Sequence, residues 1–179
     1  MKSCSIVVAG ALLVAVGGAA AQGGAPTAEG PTDAQIAHIV VTANQVDIDA
    51  GKLAQTWGQG KDVRAFGKQM VTDHSGVNKQ AVALVKKLNV TPEDNTTSQS
   101  LKKGGEDNLE NLKGLKGAAF DKAYIDHEVV YHEQVLDAID KVLIPDAKNE
   151  ELKALLVKVR PAFVAHLERA KMIQAKLAK

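Results

Sequence analysis

The chain has 179 residues, a formal net charge of +1, one cysteine, 24% charged residues and only 3% aromatics. That size suits one domain with a real core. The absence of a basic patch with interleaved aromatics argues against nucleic acid as a partner, and so few aromatics argue against a carbohydrate-stacking surface.

The chain opens MKSCSIVVAGALLVAVGGAAAQ: one lysine, an apolar run from Ile6 to Val16, then small residues ending Ala19-Ala20-Ala21. This is the pattern of a secretory signal peptide over residues 1–21. The run is too short to span a bilayer as a mature helix. Cys4 precedes the run, which argues against lipid anchoring, and it leaves with the signal. The mature chain is thus expected to lack disulfides and thiolate chemistry. Losing Lys2 brings the side-chain charge to zero. Residues 22–31 read as a flexible tether before a bundle domain over residues 32–179.

Thr32-Asp33 offers an N-cap. The first seam then runs Ile36, Val40, Ala43, Asp47, Ala50, Ala54, Trp57, stepping by four and three. Gly58 and Gly60 end it. A second helix starts near Asp62, with the seam Val63, Phe66, Met70, His74, Val77, Ala81, Leu84, Leu88. Asn89 to Ser100 reads as a loop. Residues 99–113 predict a short, weak helix interrupted at Gly104-Gly105. A third long helix begins near Ala118, with the seam Asp121, Ile125, Glu128, His132, Val135, Ile139, Val142, and stops at Pro145. The fourth runs from Asn149 through Leu152, Leu155, Val159, Phe163, His166, Ala170, Ile173 and Leu177, with Pro161 predicting a kink. No strand pattern is present. The expected fold is all-α: an antiparallel four-helix bundle with a short extra helix in the long middle connection.

The seams are apolar except at a few places. Helix midpoints fall near residues 45, 75, 131 and 164. If consecutive helices run antiparallel, a rise of about 1.5 Å per residue puts Asp47, His74, Glu128, His132 and His166 within roughly 5 Å of one midplane. Buried polar groups are costly unless they pair or bind something. Glu128 and His132 share a helix face and could hold one ion. His74 and His166 would face them, with Asp47 as a further oxygen ligand or as acceptor for an imidazole N–H. Three imidazoles with one or two carboxylates suit iron, zinc, copper or manganese, and calcium much less. A metal-free hydrogen-bond network satisfies the same residues equally well. His127 and His38 lie off the seams and read as flank or surface. Asp73 reads as solvated or as a local hydrogen-bond partner. Tyr124 and Tyr131 read as core-edge residues, and Met70 and Trp57 as core.

The segments TANQVDIDAGKLA, FGKQMVTDH, FDKAYIDHEVVYHEQVL and RPAFVAHLERA, in that order, resemble the four helices of a bacterial secreted family. It is catalogued as Domain of Unknown Function 4142 and often labelled as outer membrane proteins. The resemblance covers residues 32–177. It implies export and a ferritin-like fold, and it supplies no established reaction. The outer-membrane label finds no support in alternating strands. Ferritin-like di-iron proteins carry a Glu-x-x-His pair on two helices and a glutamate on each of two others. Here Glu128 and His132 are four apart, and neither His74 nor His166 has a glutamate three residues before it. That pattern disfavours ferroxidase activity and iron storage; a mononuclear site, or none, fits better.

Three functions stay open. The first is a periplasmic metal-binding bundle, non-catalytic or weakly redox-active, in metal homeostasis or envelope stress. The second is a metalloenzyme acting on oxygen species. The third is a metal-free structural or interaction protein of the envelope, meeting an envelope protein or a second copy of itself. No catalytic residue is assigned. Neither G-x-S-x-G nor a phosphate-binding G-x-x-x-x-G-K-[ST] occurs.

Overall fold

The structure is a computed structural model and describes residues 30–179. The expected signal peptide and most of the tether lie outside the described residues. Helix α1 spans Asp33–Trp57, α2 Lys61–Lys87, α3 Thr96–Lys113, α4 Gly117–Ala138 and α6 Glu150–Leu177. Between α4 and α6 lie a π-helical turn, Ile139–Leu143, and a one-turn helix α5, Ile144–Asp146. No strand occurs among the described residues, and none of their helices is long and apolar enough to cross a membrane.

Side-chain hydroxyls and amides start the helices. Thr32 and Gln35 form a capping box on α1, Asn95 and Ser98 one on α3, and Asn149 accepts from the Glu151 and Leu152 N–H groups on α6. The α2 start has no cap of its own. Asp121, from α4, accepts from the Gln59 and Gly60 N–H groups at 2.8 and 2.6 Å. At the other end Asp33 accepts from the Lys148 and Asn149 N–H groups at 2.9 and 3.0 Å, joining the start of α1 to the start of α6. Each end of the bundle is thus closed by a carboxylate on backbone donors.

Neighbouring helices are antiparallel. Gly51 meets Gly67 and Asn44 meets His74 along α1 and α2. Asp126 meets Gln174 and Asp140 meets Arg160 along α4 and α6. The order round the core is α1, α2, α6, α4. Helices α2 and α4 are diagonal and parallel, since Phe66 faces Tyr124 and His74 faces His132. The expectation that consecutive long helices alternate direction therefore fails at this one step. The connection through α3 is long enough to return the chain to the other end. Helix α3 lies parallel to α1, outside the four.

Three other expectations need correction. Helix α3 is continuous through Gly104-Gly105: a Cβ on Gly105 would lie 2.7 Å from Val46 Cγ2, so the glycine lets the two helices touch rather than breaking α3. The third long helix does not simply end at Pro145 but loosens into the π turn just before it, where the missing N–H and the proline ring disrupt the α-helical ladder. Trp57, expected in the core, is 42% exposed at the last turn of α1, beside Phe120.

The tightest packing is between α1 and α2. A Cβ on Gly51 would lie 2.8 Å from the Gly67 carbonyl oxygen, and one on Gly67 2.8 Å from that of Gly51. Only glycine allows this approach, and it draws Asn44 and Asp47 onto His74.

Candidate metal centre

The core is apolar above and below one layer: Phe66, Met70, Phe120, Tyr124 and Ile125 to one side, Leu156, Val159, Ile139 and Leu143 to the other, all buried. Between them Asp47, His74, Glu128, His132 and His166 are all at most 2% exposed. The layer expected from seam arithmetic is therefore present, with at least one member from each of α1, α2, α4 and α6. Its members form two triads that share His132. One atom each of His74, His132 and His166 lies within 4.8 Å of the others, and so does one each of Asp47, Glu128 and His132.

Each imidazole is oriented through one nitrogen. His74 Nδ1 is 2.7 Å from Asn44 Oδ1, and Asn44 Nδ2 donates to the Val40 carbonyl at 2.7 Å. The amide oxygen thus faces His74, whose Nδ1 must carry the hydrogen. His132 Nδ1 is 3.0 Å from the Glu128 carbonyl oxygen, an acceptor only, so it too carries the hydrogen. His166 Nε2 is 2.9 Å from Asp73 Oδ2 and donates to it. The other nitrogens, His74 Nε2, His132 Nε2 and His166 Nδ1, are buried lone pairs with no hydrogen-bond partner among the described residues. The rings lie together, with centroids 5.1 to 5.7 Å apart, and Phe163 packs on all three at 5.0 to 6.1 Å.

A proton does not relieve this at neutral pH. Burial, then the charges of His132 and His166, hold His74 well below the usual imidazole range. Burial takes His132 down to about 4. Burial lowers His166 as well, against the opposing pull of Asp73.

The carboxylates lie on the Nδ1 side. Asp47 Oδ2 is 3.5 Å from His74 Nδ1, and Glu128 Oε2 is 3.4 Å from His132 Nδ1. Asp47 Oδ2, both Glu128 oxygens and the Tyr124 hydroxyl have no hydrogen bond of normal geometry among the described residues. Burial lifts Glu128 to about 8, and burial followed by the charge of Glu128 raises Asp47. Without a cation, burial favours the protonated form of both carboxyls.

Sequence reasoning missed two orienting residues. Asn44 sits three residues before Asp47, off the seam, and only the close α1/α2 contact brings it to His74. Asp73 was expected to be solvated or to pair locally; it is 39% exposed, yet it spans to His166 on another helix. Tyr131 donates to the Ala43 carbonyl at 3.0 Å. His127 stacks on Tyr131, and His38 stands 3.6 Å from Asp94; both are half-buried flank residues, as expected.

Fold and site define an all-α bundle with a buried histidine and carboxylate layer at mid-depth. The chain belongs to the family described as Domain of unknown function (DUF4142), whose model matches residues 17–173. No curated protein and no solved structure matches it.

Proposed function

We propose that this is an exported, ferritin-like bundle protein that binds one transition metal at His74 Nε2, His132 Nε2 and His166 Nδ1, with a role in metal homeostasis or envelope stress. One observation carries the reading. Three buried imidazole nitrogens have no hydrogen-bond partner among the described residues, their rings lie within 5.7 Å of one another, and the other nitrogen of each ring has a fixed partner. Such an arrangement is unfavourable empty, and a cation satisfies all three at once. Ligating histidines commonly give their other N–H to a carboxylate or carbonyl, and that is how Asn44, the Glu128 carbonyl and Asp73 stand here. An imidazole set suits zinc, copper and iron, and manganese less. Asp47 and Glu128 act behind the imidazoles, supplying negative charge when a cation is bound. The N-terminal pattern supports export to the periplasm.

The test is elemental analysis of protein purified from the periplasm without a histidine tag, beside His132→Ala. About one equivalent of a transition metal is expected in the native protein and none in the variant, with helicity retained in both. If neither protein holds metal after iron, zinc, copper and manganese are offered, the layer is a hydrogen-bond network and the envelope-interaction reading replaces this one.

A further inference from the structure

Three histidine ligands leave a metal at least one position short of a closed tetrahedron. Among the described residues, one surface cleft has two of these ligands in its wall. A cleft of about 340 Å³ between α2 and α6 is lined by Asp73, His74, Gly76, Lys158, Ala162 and His166. Two of the three proposed ligands therefore belong to its wall, and each carries a buried nitrogen without a partner.

Gly76 stands inside α2, where glycine is disfavoured. A Cβ placed there would meet nothing within 4 Å, so no close backbone contact accounts for it. On the facing helix Ala162, small and exposed, is part of the lining. The cleft is lined by one cation and one acid. Lys158 reaches across it to Gln80 Oε1 at 2.8 Å. Asp73 is the one acid in its lining, and it accepts the His166 Nε2–H.

We propose that the open coordination position of the metal faces the α2/α6 cleft and takes a small anion from solvent, of the size and charge of azide, superoxide or hydroperoxide. Gly76 and Ala162 keep the way open, and Lys158 draws the anion in. Phe163, packed on all three imidazoles, keeps larger ligands out. The inference rests on the three-histidine metal site proposed above.

Cobalt(II) added to chelator-stripped protein reads both questions separately, since its visible bands report coordination. Uptake of about one equivalent tests the metal site; the change in those bands on adding azide tests the open position. The expected result is a saturable spectral change with azide in the native protein. In Gly76→Leu and Ala162→Leu, cobalt uptake and helicity should be unchanged, while azide binding slows about tenfold or more. Full cobalt binding with no response to azide overturns the inference and leaves the metal site standing. Equal azide rates in the native protein and both variants overturn the cleft as the route. Failure to take up cobalt overturns the inference together with the site beneath it.

Discussion

Asp121 and Glu128 stand two turns apart on α4, and both carboxyls are buried, at 2% and 1% exposure. Asp121 takes a backbone N–H on each oxygen and closes the start of α2. Glu128 takes no hydrogen bond of normal geometry on either oxygen among the described residues. The same helix thus buries one carboxyl as structure and one at a cost to structure. Natural cores leave few polar groups in the second condition. Where several gather in one layer, the stability they forgo indicates a ligand.

The comparison predicts opposite mutational behaviour, largest at Asp121. Asp121→Ala strips two partly buried N–H groups of their acceptor and should cost about 2 kcal/mol, the low end of about 1–3 for each orphaned group, since Gln59 is open to water. Glu128→Gln in chelator-stripped protein at pH 5 should cost less than about 1 kcal/mol, because a neutral amide replaces a neutral acid with no hydrogen bond to lose. Denaturant titration of both reads the difference. Equal losses would mean that Glu128 is structural after all and would remove the contrast.

The contrast was half legible in the sequence. Glu128, His132, His74, His166 and Asp47 could be found because each interrupts an apolar seam, and 1.5 Å per residue placed them at one depth. Asp121 interrupts the same seam about 15 Å from the midplane, and the sequence assigns it no partner. Only the fold shows that it faces the α1–α2 turn, since that contact depends on how α4 is shifted along α1. Asn44 was invisible for a related reason: it bonds across the Gly51–Gly67 contact, and backbone separation is not written in periodicity. The parallel diagonal of α2 and α4 escaped because helix direction after a long connection depends on how much of that connection is itself helix. Trp57 matched the seam but ended up half out, because the period continues to the helix end while the core does not.

Acidity sharpens the comparison next. Glu128 holds its proton to about pH 8 when folded, against a usual value of 4.5. Between these values the folded state binds the proton and the unfolded state does not, so stability falls as pH rises from 4.5 to 8. One such proton gives at most about 1.4 kcal/mol per pH unit. His132 acts in the other direction. Its folded value of about 4 lies below the usual 6.5, so stability falls as pH drops through that interval. Chelator-stripped protein should therefore be most stable at mildly acidic pH and should lose thermal midpoint toward pH 8. Glu128→Gln should reduce that alkaline loss, leaving only the part due to Asp47, whose raised value has the same sign. An alkaline slope unchanged in Glu128→Gln would show that the carboxyl is ionised in the folded protein.

The smallest expected effects lie in the residues that aim the imidazoles. Removing a group that orients a ligand costs typically 10–100-fold in metal affinity, and the surroundings decide where in that range a residue falls. Asp73→Ala frees His166 Nε2, but Asp73 is 39% exposed, so water can accept in its place and the loss in zinc affinity should be about tenfold or less. His74 is at 0% exposure, where water does not substitute. Even so, Asp47 Oδ2 stands 3.5 Å from the same Nδ1 that Asn44 holds at 2.7 Å. It can take over the hydrogen bond, so Asn44→Ala alone should also sit near the tenfold end. Asn44→Ala with Asp47→Ala removes both acceptors. Their combined effect on zinc binding, read by competition against a chelator of known affinity, should exceed the product of the single effects. Simple multiplication would mean that Asp47 does not share in orienting His74, and would place its unpartnered oxygen with the metal instead.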